Sequence, residues 1–281
     1  MSIILDIIKA ILFGILQGIT EWLPISGTGH LILMQSFLNL NLYEDAVQNA
    51  AFWNMYKTVI QLGSIFAVLF LCSRTLNPFR KGIKPSVKRG VIRLWIKILI
   101  ASVPIGIAGI LFSDRIGGIM STPLIAALAL IIYGILFLLL ERRNKPPVVK
   151  KPGSISYMQA FETGLFQLLS LIPGTSRSAS VILGTTALGF DRYTAVQFSL
   201  FTALPVMLGS GLLRLFGMDL PLDFHGIAIL LIGMITAFAV SVMVIRFLLS
   251  YIRKHDFRIF GWYRIILGAV ILLFTAAGVL G

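Results

Sequence analysis

The chain contains one cysteine, Cys72, among 281 residues, and it sits in an apolar run. It offers neither an internal disulfide framework nor a thiolate metal cluster. Acid is scarce: 11 Asp and Glu stand against 24 Lys and Arg, for a net charge of +13. Charged residues make up only 12% of the chain, hydrophobic ones 57%, and the mean hydropathy is +0.93. That balance excludes an ordinary soluble domain and indicates a polytopic membrane protein. In a soluble chain such a charge would suggest nucleic acid. Here the bases fall mainly in three short segments between apolar spans, so no nucleic-acid partner is expected. The start, Met1-Ser-Ile-Ile-Leu-Asp6, has no basic n-region and no small-residue cleavage site, so it is expected to be retained.

What is abundant is apolar length. Runs near 52–72, 92–112, 123–141, 194–216, 226–250 and 260–280 each approach the ~20 residues that a bilayer crossing needs. Two further apolar regions, 3–38 and 157–190, are interrupted midway by loops rich in Gly, Pro and hydroxyls. The basic segments 73–93, 141–151 and 251–258 belong in the cytoplasm, which places 42–51, 113–122 and 217–225 outside. Segment 141–151 and the start of span 194–216 are then both inside, so 157–190 is a re-entrant hairpin with buried loop backbone. Each half reads as one broken hairpin plus three spans, and an odd number of spans inverts the second half. The expected fold is an all-α polytopic membrane protein of two inverted-topology repeats. It is a single membrane domain, with repeat 1 over about 1–141, a cytoplasmic linker over about 142–155 and repeat 2 over about 156–281. The stretch from Val59-Ile-Gln61 to Ala67 resembles Val196-Gln197 to Ala203. Gln61 and Gln197 either line a cavity or cross-link helices.

The second hairpin carries Pro173-Gly174-Thr175-Ser176-Arg177-Ser178, and Arg177 is the only full charge between Glu162 and Asp191. An arginine in an apolar run is costly unless it faces a cavity or an anion. Beside a Pro-Gly break and hydroxyls it suits a phosphate group, which takes a bidentate cation and several donors. The first hairpin answers with Gln17, Glu21, Pro24, Ser26, Gly27, Thr28, Gly29 and His30. Gly14-Ile-Leu-Gln17 leads to Pro24 much as Gly164-Leu-Phe-Gln167 leads to Pro173. Arg177 would neutralise a diphosphate and its developing charge. His30 is a general acid/base or a nucleophile. Glu21 orients His30, acts as base toward water, or holds a divalent cation, Mg²⁺ or Ca²⁺, through one carboxylate. Gln17, one turn before Glu21, adds a carbonyl on the same face.

These motifs resemble those of the bacterial undecaprenyl-diphosphatases of the bacitracin-resistance type. The family's (E/Q)xxxE motif matches Gln17-Gly-Ile-Thr-Glu21, and its histidine matches His30. Its PGxSRSxxT matches Pro173-Gly-Thr-Ser176-Arg177-Ser178-Ala-Ser180-Val181. The likeness runs the whole chain, including Leu-Pro-Ile-Ser before the histidine and the Lys-His-Asp-Phe segment at 254–257. It implies inverted repeats in a bacterial plasma membrane and a site facing outward. It further implies hydrolysis of undecaprenyl diphosphate to the monophosphate carrier for cell-wall synthesis, and with that bacitracin resistance. The expected catalytic residues are Glu21, His30, Arg177 and Ser176, with Gln17, Ser26, Thr28, Gly174, Thr175 and Ser178 on the substrate. Expected partners are the polyprenyl diphosphate lipid, the bilayer and, for oligomeric state, a homodimer. No organic cofactor is expected. Three positions depart from the pattern: Gly27 replaces a serine, Val181 the last threonine, and Gln197 a common glutamate. The alternative is a catalytically impaired homologue that binds or translocates the polyprenyl phosphate.

Overall fold

The structure is a computed structural model that describes residues 3–120, 122–142, 146–217 and 222–279, with the side chains of 113–120 outside the described residues. Its described residues form ten α-helices. In chain order they are α1 (Ile3–Thr20), α2 (Gly27–Phe37), α3 (Ala46–Leu76), α4 (Pro85–Met120) and α5 (Pro123–Glu141), then α6 (Tyr157–Leu168), α7 (Arg177–Ala187), α8 (Arg192–Phe216), α9 (Phe224–Tyr251) and α10 (Arg258–Ala276). Seven of them, α1, α3, α4, α5, α8, α9 and α10, are long and apolar enough to cross a membrane. The chain is an all-α, multi-pass membrane protein. The three short helices, α2, α6 and α7, flank the two breaks expected at 3–38 and 157–190.

Local chemistry sets the helix starts. Asp45, Asp191 and Asp223 accept from the third backbone N–H of α3, α8 and α9, at 2.9, 2.6 and 2.8 Å. Ser156 and Gln159 form a reciprocal capping box at α6. Thr122 caps α5 just ahead of Pro123. One boundary differs from the sequence reading. Segment 113–122 was expected to be an outward loop, yet α4 continues to Met120 and only two residues precede α5. At about 1.5 Å per residue a 36-residue helix overruns the ~30 Å hydrocarbon layer, so its polar end extends beyond it as helix. The side chains of Asp114 and Arg115, like Arg143, Lys145 and Asp219, lie outside the described residues.

The packing follows a consistent exchange: α1 lies on α9 and α6 on α4, while α3 meets α8 and α5 meets α10. Glycines permit the first two contacts. A Cβ at Gly14 would come 2.8 Å from the Gly233 carbonyl of α9, and one at Gly164 would come 2.7 Å from the Ala101 carbonyl of α4. Gln167 donates to that same Ala101 carbonyl at 2.7 Å, in the turn loosened by Pro104. These pairings are consistent with two related halves.

Candidate active site

The two breaks meet, and each turns on a serine in a left-handed conformation. Ser26 before α2 has φ 75° and Ser176 before α7 has φ 67°. Non-glycine residues rarely adopt this region, which marks both turns as held by their surroundings.

In the first loop Gln17 donates through Nε2 to Glu21 Oε2 at 2.9 Å, as their one-turn spacing implied. Ser26 is wholly buried, its hydroxyl 3.4 Å from the Gly29 N–H that it caps. Thr28 is exposed. The His30 ring is oriented by groups other than Glu21. Its Nδ1 lies 2.7 Å from the Ser26 carbonyl. A carbonyl can only accept, so Nδ1 carries the proton of the neutral ring and Nε2 holds the lone pair. The Tyr263 hydroxyl of α10 lies 2.6 Å from Nε2, and the two rings stack with centroids 5.6 Å apart.

In the second loop Gly174 has φ 92°, and a Cβ there would strike the Ala126 backbone of α5. Only glycine suits that approach. Thr175, expected on the substrate, is 2% exposed. Its hydroxyl lies 2.8 and 2.7 Å from the carbonyls of Leu169 and Ile172, holding the loop itself. Ser176 gives α7 no side-chain cap; its hydroxyl instead pairs with that of Ser178 at 3.0 Å. The first-turn N–H groups of α7 therefore have neither intrahelical nor side-chain partners among the described residues, which suits an anion.

Between the loops stands Arg177, with 11% of its side chain exposed and Glu21 at 16%. Its Nη1 donates to the Ser199 carbonyl of α8 at 3.0 Å, and Nη2 lies 3.6 Å from Glu21 Oε1. Among the described residues Nε and Nη2 have no hydrogen-bond partner. Buried guanidinium donors left without hydrogen bonds beside an uncapped helix start are what a phosphate oxygen pair would satisfy. No hydrogen bond or ion pair among the described residues joins His30 to Glu21 or to Arg177.

The most consequential residue that sequence reading missed is Arg264 of α10, which is fully buried. It donates through Nη1 to the Pro24 carbonyl at 3.2 Å, and through Nη2 to those of Gly174 and Thr175 at 2.8 and 2.9 Å. Its guanidinium also lies over the Tyr133 ring at 5.3 Å. The signal that singled out Arg177, an arginine inside an apolar span, applies to Arg264 as well. Two arginines thus stand at the meeting of the loops, Arg177 ion-paired to Glu21 and Arg264 bound to backbone carbonyls.

The three departures lie in different settings. A Cβ at Gly27 would sit 3.0 Å from Thr20 Oγ1, itself a buried hydroxyl with no hydrogen-bond partner among the described residues. Val181 is fully buried in α7. Gln197 lies 3.4 Å from the Tyr193 hydroxyl, one turn away on α8, where Arg253 also donates at 2.9 Å. For a divalent cation the described residues gather no cluster of three His, Cys, Asp or Glu side chains. Glu21 and the Gln17 carbonyl are the available oxygens, which suits an ion held mainly by substrate phosphates.

Residues 10–270 match the family model described as bacitracin resistance protein BacA. The chain belongs to that family. Curated relatives agree along nearly the full length. The undecaprenyl-diphosphatase 1 of Clostridioides difficile is 46% identical over 271 residues, 96% of this chain and 97% of the relative. The undecaprenyl-diphosphatase of Enterococcus faecalis is 45% identical over 276 residues, 97% and 98% of the two chains. That of Acetivibrio thermocellus is 44% identical over 275 residues, 97% and 99%.

Proposed function

We propose that this chain is a membrane undecaprenyl-diphosphatase, releasing phosphate from undecaprenyl diphosphate and returning the monophosphate carrier to cell-wall synthesis. The observation that carries the reading is Arg177, nearly buried between two broken hairpins, with Nε and Nη2 making no hydrogen bond among the described residues and Nη2 facing Glu21 at 3.6 Å. The terminal phosphate would take those donors and the α7 N-terminus, while the polyprenyl chain stays in the bilayer. A water oxygen then bonds to the terminal phosphorus and the bond to the bridging oxygen breaks. The bridging oxygen and its electron pair leave with the lipid monophosphate. Glu21, ion-paired to the arginine at 3.6 Å, takes the water's proton. His30 exchanges protons with the departing phosphate through Nε2, once Tyr263 yields that position. Ser176 contributes its hydroxyl at the phosphate. Glu21 and the Gln17 carbonyl would hold Mg²⁺ or Ca²⁺, which would supply further charge neutralisation for the phosphates.

The positive-inside charge pattern and the family likeness support an outward-facing site in a bacterial plasma membrane, with the chain read as two inverted repeats over about 1–141 and 156–281. Bacitracin resistance follows from carrier recycling. The second reading, a binder or translocase of the same lipid, is favoured by the missing hydroxyl at Gly27 and by the inward turn of Thr175. Phosphate release by the purified protein in detergent, with and without Mg²⁺ or Ca²⁺, separates the two; lipid binding with no release would retire the enzyme. Sidedness is read by impermeant thiol labelling in a Cys72→Ala background. Single cysteines at 42–51 should react from outside and those at 80–89 should not, and the reverse pattern overturns the orientation.

A further inference from the structure

We infer that Arg264 is a positioning residue for the reaction, holding the acid-bearing loop and the arginine-bearing loop at a fixed spacing. The inference rests on the phosphate-site reading above, and its test separates failure of one from failure of the other. The guanidinium touches both breaks, through the carbonyl of Pro24 and through those of Gly174 and Thr175, positions 150 residues apart in sequence. Glu21 lies three residues before the first contact, and Arg177 two after the last. Any change in this clasp therefore alters the 3.6 Å approach of Glu21 to Arg177.

The clasp also orients backbone. In a trans peptide the N–H points opposite to the C=O. Drawing the Thr175 carbonyl to Arg264 thus turns the Ser176 N–H away from it. That N–H has no protein acceptor among the described residues. The positive φ of Ser176 is the local strain that this arrangement sustains.

A structural cross-link could have used a neutral side chain at lower desolvation cost. Arg264 is instead a fully buried cation with no carboxylate partner among the described residues, resting on the Tyr133 face. Its planar fork reaches carbonyls of two separate loops at once, which a lysine ammonium, as one point of charge, cannot reproduce. Its charge additionally favours an anion at the meeting point of the loops without touching it.

The test compares the full-length wild type with Arg264→Lys, Arg264→Gln and Arg264→Ala in detergent. Two measurements are made: phosphate release from undecaprenyl diphosphate, and hydrogen–deuterium exchange. The Lys variant should elute and melt as the wild type does, with kcat down about 100-fold and KM changed by less than about threefold. Exchange should rise together in 21–30 and 172–178 while α3 and α9 stay protected. Added ethylguanidine should restore part of the activity of the Ala variant, which a misfolded protein would not regain. Near-native kcat in both Lys and Gln variants overturns the inference. So does exchange that rises in one loop only or throughout the molecule, and so does loss of folded protein in all three variants. If the wild type releases no phosphate, the enzyme reading fails. Paired loosening of the two loops then still decides the role of Arg264.

Discussion

The loops before α2 and α7 begin alike and end differently. Each follows a proline and turns on a left-handed serine, and each gives a carbonyl to Arg264. The Ser26 hydroxyl then caps its helix, whereas the Ser176 hydroxyl does not. The first loop has thus satisfied part of its own backbone and presents side chains, the Glu21 carboxylate and the His30 ring. The second leaves backbone donors open beside Arg177. A site that must bind an anion and move a proton benefits from this division, because each task is held by a separately supported turn.

The comparison breaks most completely at Gly174. Gly174→Ala adds a methyl group at positive φ and against the Ala126 backbone. It should cost about 3 kcal/mol of stability, combining left-handed strain with overpacking. A fall in Tm with loss of turnover is the expected result, and a Tm equal to wild type would contradict the tight approach. The acid of the first loop comes next. Glu21→Gln keeps shape and the link to Gln17 but removes the base, and should lower kcat about 1,000-fold. Lipid binding, measured separately, should persist. Arg177→Lys keeps charge in the second loop while losing the planar fork, and kcat should drop about 100-fold. Turnover close to wild type there would leave Arg177 as a point charge only. The smallest effect belongs to Gly27→Ser. The added Cβ lies 3.0 Å from Thr20 Oγ1, a contact that a shift of a few tenths of an ångström relieves, so activity should stay within about threefold of wild type. A rise of several orders of magnitude would instead identify a serine at 27 as the missing nucleophile.

Much of this was legible in the chain itself. Apolar run lengths, the two interruptions and the isolation of Arg177 among apolar residues follow from bilayer thickness and the cost of charge in hydrocarbon. The pairing of Gln17 with Glu21 follows from helical spacing alone. The extension of α4 through Met120 was not legible, because Asp114, Arg115 and the Gly117-Gly118 pair look like loop residues when helix beyond the bilayer is not considered.

What sequence by itself determined is therefore the class of molecule, the family, the two breaks and the side chains brought to them. Local spacing and composition are properties of neighbours along the chain, and membrane insertion reads them directly. Only the tertiary structure decided which hydroxyls turn inward, as Ser26 and Thr175 do, and which side chain orients His30, namely Tyr263. It alone brought Arg264 to both loops from 240 and 90 residues away. Such contacts depend on how α5 and α10 pack, and the direction of a buried side chain is set by its partners across helices rather than by its position in the chain.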